Sequence, residues 1–179
     1  QYAAEDALMT LKLFNKQLEI FKQRGEDKLL SIAFELEFNF IYVLASMEQK
    51  GIKIDVKLLK EYKDRSLIYL NELTQNIYEA CGESFNINSP KQLGVILFEK
   101  LELASSKKTK TGYSTDESVL DSLKNEHKVV PLLLKYREAF KLHSTYIEPL
   151  LELGLKDSEN RVFSSFLHTG TTTGRLSSK

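Results

Sequence analysis

Some features are scarce in this chain, and each scarcity excludes a class of protein. The 179 residues contain a single cysteine, Cys81, which excludes an internal disulfide and favours a reducing compartment. The longest uninterrupted apolar runs fall far short of a membrane span, and no signal peptide is visible after Gln1. We therefore expect no membrane partner and a cytoplasmic location.

An excess of charge of one sign is also missing. The chain has 25 basic and 25 acidic residues, which argues against a uniformly basic nucleic-acid binder but leaves room for a local basic patch. His127, His143 and His168 are too scattered for a metal-ligand spacing, and no glycine-rich phosphate loop occurs. Because no initiator methionine is present, we expect the sequence to be part of a longer chain.

Helical periodicity is the main positive feature of the sequence. Apolar residues recur at helical spacing in four stretches, 3–24, 28–50, 56–81 and 129–153, and a glycine follows each stretch. Asp55 is well placed to cap the third of these helices. The chain is therefore predicted to be mainly helical.

The lengths of these helices and the residues between them predict how the helices are arranged. The two longest predicted helices would each span about 38 Å at the usual helical rise, and the segment between them returns the chain. Ser89 and Ser114 each open a capping-box pattern that predicts a short helix at the tip. After Gly154, Val162 to Leu167 has the pattern of a strand. The predicted fold is mainly α: a long antiparallel helix pair, short tip helices and a terminal β-strand with no clear partner.

The last residues carry the strongest motif. Thr171 to Ser178 reads TTTGRLSS and resembles the T-x-T-G-R-L-S-S segment of bacterial family A DNA polymerases. In that family the segment follows the first strand of the palm, and the resemblance implies that Thr171 and Arg175 contact DNA, with the arginine in the minor groove. A long, always charged donor accepts any base pair there, and Gly174 would let the backbone approach the duplex.

A second motif lies on the last long helix. Tyr136-Arg137, followed by the run from Lys141 to Tyr146, resembles the Y-R-x-x-x-K-L-x-S-T-Y segment of the family's thumb. The resemblance implies DNA contacts by Arg137, Lys141, Ser144 and Thr145. The first three share one helix face, which suits phosphate contact. His143 departs from the family's usual lysine, and the alternative is an ordinary solvated face.

Two further segments resemble the thumb tip. Phe85 to Leu93 is similar to the motif F-N-x-x-S-x-K-Q-L, which implies DNA contacts by Asn86, Ser89 and Lys91 at a helix N-terminus. Alternatively, Ser89 and Gln92 only cap that helix. The next segment resembles the family's tip loop and offers lysines for phosphate contact, unless it is merely solvated. These lysines are Lys107, Lys108 and Lys110.

At the other end, Tyr2 and Asp6 resemble the Y-x-x-x-D motif of DnaQ-type 3′–5′ exonucleases. In an active member the aspartate is a metal ligand and the tyrosine orients the attacking water. Two-metal cleavage needs several carboxylates around the ions. The other carboxylates would lie upstream, so Asp6 alone is not expected to support catalysis.

The resemblance implies three domain pieces: 1–27 as the end of an exonuclease-like domain, 28–157 as the thumb with its base helix, and 158–179 as the start of the palm. It implies a DNA-directed DNA polymerase, a nucleotidyltransferase of DNA replication and repair, in the nucleoid-associated part of the cytoplasm. The full-length parent would use Mg²⁺ and dNTPs. The piece itself is expected to be inactive, to need no cofactor, to bind primer-template DNA and to self-associate through faces left exposed.

Two other functions remain open from the sequence. The first is a non-enzymatic helical module that binds a protein partner, which a large exposed apolar face would favour. The second is an intact DnaQ-type exonuclease with a helical appendage, which would require an upstream Asp-x-Glu strand. The motif from Thr171 to Ser178 argues against both.

Overall fold

A computed structural model describes residues 2–104, 108–109 and 112–179, and within them the predicted mainly α fold is confirmed. The helices are α1 (Tyr2–Gln23), α2 (Asp27–Ile32), α3 (Phe38–Lys50), α4 (Val56–Cys81), α5 (Pro90–Gly94), α6 (Glu117–Leu123), α7 (Val129–Lys141) and α8 (Glu148–Lys156). The strands are β1 (Ile52–Lys53), β2 (Lys108–Thr109), β3 (Gly112–Tyr113), β4 (Arg161–Val162), β5 (Phe166–Leu167) and β6 (Ser177–Ser178). Short π-helical segments lie at Ala33–Glu37, Val95–Lys100 and Leu142–Ile147.

The chain divides into two compact units. The first contains the residues up to Ile52 together with Phe163–Lys179, and the second is Lys53–Val162. The helices α2 and α3 therefore belong with α1, whereas the sequence assigns residues 28–52 to the thumb. The predicted boundaries at 27 and 157 refer to domains of the parent protein, and they remain predictions.

The second unit is built on the antiparallel packing of α4 against the helix formed by α7 and α8. Lys63 pairs with Glu148 at 2.7 Å, and three residues later Ser66 Oγ lies 2.7 Å from His143 Nδ1. The partner number falls as the α4 number rises, so the two helices run in opposite directions as predicted. Leucine, isoleucine and valine side chains from both helices and from the tip fill the core, and the fully buried ones are Ile77, Leu93, Leu97, Leu120, Val129, Val130 and Leu133.

The ends of α4 form as the sequence predicts. The Asp55 carboxylate accepts a hydrogen bond from Leu58 N at 2.9 Å, which satisfies one of the free donors in the first turn. Gly82 ends the helix with φ of 76°, a left-handed conformation that favours glycine. Local signals thus set the length of the longest helix in the described residues.

The two predicted capping boxes differ in outcome. Ser89 Oγ accepts from Gln92 N at 3.4 Å, but the Gln92 side chain accepts from Asn86 N rather than from Ser89 N. The second prediction was wrong about the helix start. Helix α6 begins at Glu117, and Ser114 Oγ accepts from Asp116 N at 3.3 Å in the turn before it. A serine hydroxyl that bonds two residues ahead forms a local turn, and Asp116 takes the N-cap position without a side-chain cap bond.

Gly154 lies inside α8 and does not end it, contrary to the prediction. A Cβ atom at this buried position would lie 2.2 Å from Ile54 Cδ1 and 2.7 Å from Ile54 Cγ1. The glycine therefore allows the helix to approach Ile54 closely. The sequence also predicts a kink at Pro149. That proline lies in the first turn of α8, directly after the π-helical segment Leu142–Ile147. The departure from α-helical winding therefore comes immediately before the proline.

The first unit buries little of its apolar surface. The ring of Phe34 packs edge-on against Phe14 and Phe38, with centroids 6.4 and 5.2 Å apart. Leu44 is the buried residue of α3, whereas α1 has none. Many large apolar side chains of this unit are exposed, which leaves wide faces of its helices without a partner in the described residues.

One stretch of the first unit corrects the prediction about apolar runs. The helical stretch Asp27–Lys50 has 24 residues and contains an 18-residue window with a mean hydropathy of 1.5, so by length and composition it could cross a membrane. Counting uninterrupted apolar runs missed it because Glu35 and Glu37 interrupt the run. Those carboxylates also oppose insertion, since an acidic residue at the centre of a spanning helix costs about 3 kcal/mol. Glu37 is paired with His168.

The predicted terminal strand has a partner after all. Strand β5 pairs antiparallel with β6, with Phe166 opposite Ser178 and Leu167 opposite Ser177. The partner is thus the Ser-Ser end of the glycine motif, which the sequence analysis did not assign to a strand. Phe166 N also donates to Glu48 Oε1 at 2.6 Å, so the hairpin is fixed to α3.

We expect Gly154→Ala to lower the free energy of unfolding by about 1–3 kcal/mol, because its methyl group would overlap the Ile54 side chain. Urea denaturation followed by circular dichroism measures this change. Ile54→Ala should recover part of the loss in the double variant. Gly94→Ala is the matched control, since its Cβ would meet Tyr113 Cβ at 3.5 Å, an ordinary contact. Equal losses in the two glycine variants would contradict the proposed close approach.

A second prediction concerns the Lys63–Glu148 pair. The hydrogen bond from Lys63 lowers the pKa of the Glu148 carboxyl below its ordinary value. A carboxyl with a depressed pKa in the folded state contributes stability above its unfolded pKa and loses it as pH falls through the folded pKa. We expect Glu148→Gln to reduce the fall in unfolding free energy between about pH 5 and about pH 3. Glu79→Gln is the control, and an identical pH profile for both variants would contradict the prediction.

Candidate nucleic-acid interface

Arg137 holds the tip of the second unit to α7. Its guanidinium donates to the Thr115 carbonyl oxygen and, at 3.2 Å, to Thr115 Oγ1. Thr115 is buried, and Arg137 itself is partly buried. Burial lowers the pKa of Arg137, while the nearby Asp116 and Glu117 oppose that shift. The guanidinium remains charged, and its Nη1 and Nη2 atoms both donate to Thr115.

The N-terminus of α5 is fixed to the same region of α7. Asn88 Nδ2 donates to Tyr136 OH at 3.2 Å, and Asn86 Oδ1 accepts from Asn88 N at 3.0 Å. Burial raises the pKa of Tyr136, and the bond from Asn88 partly offsets this shift. Asn86 and Lys91 are exposed, and the Ser89 hydroxyl caps α5. The helix cap and an exposed polar surface therefore coexist, as the sequence left open.

The base of the predicted lysine loop packs on the helix that follows α5. The Tyr113 ring lies 4.9 Å from the Phe98 ring, centroid to centroid. Strands β2 and β3 pair antiparallel, with Lys108 opposite Tyr113. Lys107 and Lys110 lie outside the described residues, and the DNA contacts of Lys107, Lys108 and Lys110 stay predictions.

The remaining residues of the long helix that are predicted to contact DNA differ in their exposure and hydrogen bonding. Lys141 and Thr145 are exposed. The Ser144 hydroxyl donates to the Phe140 carbonyl oxygen at 2.7 Å, so its hydrogen is engaged within the helix. His143, at the position where the family usually has lysine, is buried against Ser66. Of the residues from Lys141 to Thr145, Lys141 is therefore the one that presents a charge to solvent.

The glycine motif of the first unit forms a tight turn. Thr171 Oγ1 donates to the Arg175 carbonyl oxygen at 2.6 Å, and Gly174 has φ of 75°. A Cβ at position 174 would meet no atom within 4 Å, so the left-handed backbone explains the glycine within this unit. Arg175 is exposed. Its side chain is thus presented at the end of the turn that leads into β6.

Tyr2 and Asp6 lie on α1, one helical turn apart, and both are exposed. Within the described residues, no group of three or more histidine, cysteine, aspartate or glutamate side chains is arranged to hold a metal ion. A lone exposed carboxylate does not fit a two-metal site, which needs several convergent oxygens. The metal and catalytic roles of these two residues remain predictions about the parent protein.

Sequence reasoning missed the contacts that join these segments. Thr115 was taken as part of a capping pattern, and Asn88 was an unassigned position of its motif, yet each bonds a residue of α7. No sequence signal identifies such pairs, because their members are 22 and 48 residues apart. Their effect is to bring three of the predicted segments together: the start of α5, the base of the lysine hairpin, and the middle of α7.

Proteins of known name are similar to this chain in sequence. DNA polymerase I of Bacillus subtilis (strain 168) is 47% identical over 164 residues, which cover 92% of this chain and 17% of that protein. DNA polymerase I of Helicobacter pylori (strain J99) is 42% identical over 171 residues, covering 95% and 18%. The chain thus spans less than a fifth of the length of these relatives.

A solved structure shares the fold. It is the POL domain of Pol1 from M. smegmatis in complex with DNA primer-template and dNTP, with a TM-score of 0.76 and 34% identity over 89% of this chain and 28% of that one. The chain therefore has the fold of a helical piece of that polymerase domain. A sequence model described as DNA polymerase family A matches residues 56–179, and the chain belongs to that family.

We expect Arg137→Met to lower the free energy of unfolding by about 1–3 kcal/mol, because the buried Thr115 carbonyl would lose its donor. Thr115→Val removes only the bond to the hydroxyl and should cost less. Lys141→Met serves as the control on the same helix and should leave stability nearly unchanged. Chemical denaturation measures all three. If Arg137→Met is as stable as the control, Arg137 does not hold the tip.

Proposed function

We propose that this chain acts as the thumb of a DNA-directed DNA polymerase and holds primer-template DNA through its sugar-phosphate backbone. The observation that carries the proposal is the convergence of two motif-bearing segments, the start of α5 and the base of the lysine hairpin, on the motif-bearing middle of α7. The Arg137–Thr115 and Asn88–Tyr136 bonds fix the tip of the second unit, and Tyr113 packs the base of the lysine hairpin on Phe98. A preorganised tip loses less conformational freedom when it binds.

The phosphate contacts are assigned by exposure. Lys91 at the start of α5 and Lys141 on α7 are exposed cations, and each would release counterions on pairing with a phosphate. Asn86 and Thr145 add exposed polar groups, and the sequence offers Lys107, Lys108 and Lys110 as further phosphate contacts. Arg137 takes a different role in this proposal, since it positions the tip through Thr115.

The first unit contributes a separate contact. Thr171 and Gly174 form the turn that presents Arg175, and an exposed guanidinium in such a turn suits the minor groove of any base pair. Its binding would not depend on sequence, because the minor-groove acceptors of the four base pairs are similar. A polymerase requires this, since it must hold whatever duplex it has just made.

Catalysis is proposed for the parent protein and not for this chain. Family A polymerases use divalent metal ions, so the parent would need Mg²⁺ and dNTPs. The described residues offer no cluster of metal ligands, and no step of the reaction is assigned to them. We place the parent in the cytoplasm with the nucleoid, where its DNA substrate lies. Its exonuclease activity would depend on carboxylates beyond Asp6.

The proposal predicts duplex binding that weakens as salt rises and is independent of sequence. Fluorescence anisotropy with two labelled duplexes, a primer-template and an unrelated sequence, measures both properties. Each phosphate contact should add about 0.9 to the slope of log K against log salt concentration. The double variant Lys91→Gln/Lys141→Gln should therefore lower the slope by about 1.8 on either duplex.

Lys156→Gln is the matched control, because Lys156 is an exposed lysine at the end of α8, away from the tip. It should leave the slope unchanged. A folded chain that binds neither duplex at low salt, or a control that weakens binding as much as the double variant, would contradict the proposed grip.

A further inference from the structure

A groove of about 960 Å³ lies between α4 and the α7–α8 helix in the second unit. It shares no residue with the predicted DNA contacts. Lys135, which lines the groove, is about 200° from Arg137 and about 120° from Lys141 around the helix axis. The groove therefore opens on another side of α7 from Lys141, the phosphate contact assigned to that helix.

Aromatic and cationic side chains alternate along the groove. The antiparallel register places Tyr62 of α4 beside Tyr146, Arg65 one turn further along, then Tyr69, and finally Lys135 of α7. The three tyrosines are 44–49% exposed, so their rings are accessible to a ligand. Tyr62 and Tyr69 are seven residues apart, which corresponds to about 10 Å along the helix.

Polar contacts join the two helices that form the groove. Ser66, which lines it, is hydrogen-bonded to the buried His143, and Lys63 is paired with Glu148 on the same two helices. The groove is thus built into the helix pair and does not require a rearrangement to admit a ligand.

The two cationic side chains of the groove are not engaged by other described residues. Neither Arg65 nor Lys135 forms an ion pair or a side-chain hydrogen bond within the described part of the chain. Glu138 is the acidic residue among those that line the groove. Two cations against one carboxylate give the lining a net positive charge, although the chain as a whole is neutral.

We propose that this groove binds single-stranded nucleic acid, with bases stacked on Tyr62, Tyr69 and Tyr146 and phosphates paired with Arg65 and Lys135. Sequence-tolerant single-strand sites combine aromatic platforms with cations that follow the backbone. In a duplex the base faces are stacked on one another inside the helix, so they cannot stack on the tyrosine rings. An apolar peptide would use the rings but would not need the two unpaired cations. This site goes beyond the proposed grip on duplex and does not depend on it.

The test is anisotropy of the whole chain with a labelled oligothymidylate of about 12 nucleotides, long enough for a typical single-strand site. Tyr69→Leu should weaken binding by about 5- to 100-fold because a stacking ring is lost, whereas Tyr69→Phe should keep near-normal affinity. Arg65→Gln/Lys135→Gln should lower the salt slope by about 1.4, the value for two charges on a single strand. Duplex binding should be unchanged in all these variants.

Tyr42→Leu and Lys156→Gln are the controls, since both residues are exposed outside the groove. Far-UV circular dichroism confirms that each variant is folded. The proposal is overturned if folded wild-type chain does not bind the oligonucleotide, or if the phenylalanine variant loses as much affinity as the leucine variant. Binding of a labelled amphipathic peptide in place of the oligonucleotide would also overturn it and would make the groove a protein-docking site. Loss of duplex binding with Lys91→Gln/Lys141→Gln alone would leave it intact.

Discussion

The packing of α4 against α7 is the interaction on which the second unit depends. Leu70, Leu73 and Ile77 of α4 meet Val130 and Leu133 of α7 in one continuous apolar core. Each fully buried aliphatic side chain contributes about 1.5–3 kcal/mol relative to an exposed one, so this seam outweighs the surface ion pairs many times over. The tip helices, the lysine hairpin and the aromatic groove are all placed by this pair.

Polar contacts add specificity to the apolar seam. An apolar interface between two long helices tolerates sliding by a turn, because one row of leucines resembles the next. The Lys63–Glu148 pair and the Ser66–His143 bond select one register, since a shifted helix would leave the buried histidine without its partner. At the other end of the seam, the bonds made by Arg137 and Asn88 fix the position of the tip in the same way.

Much of the fold was predictable because it is encoded locally. Helical spacing, the Asp55 cap and the glycine after α4 are properties of neighbouring residues, and the structure confirms them. Two of the errors arise from distant partners. Gly154 was taken for a helix end because its reason, the approach to Ile54, is 100 positions away. The strand β5 was taken to lack a partner because Ser177 and Ser178 carry no strand signal of their own.

The candidate site was predictable in its residue types and less so in their roles. Motif resemblance places Lys91 and Lys141 on exposed surface, but it does not distinguish a phosphate contact from a positioning residue. Arg137 belongs to the same motif as Lys141, yet its donors bond a buried threonine. The distinction depends on what lies opposite each side chain in three dimensions, which spacing along one helix does not reveal.

The π-helical segment between α7 and α8 has a consequence for insertions and deletions. A π-helical turn takes in one more residue than an α-helical turn, so the extra residue is absorbed within the wider turn and the helix after it keeps its facing. Deletion of one residue there would restore α-helical winding and leave the facing of α8 nearly unchanged, whereas the same deletion within α7 would rotate α8 by about 100°. After a deletion within α7, Gly154 would turn away from Ile54, and the leucines of α8 would leave the seam. The segment Leu142–Ile147 is thus the place where this helix can change its length by one residue and keep the facing of α8.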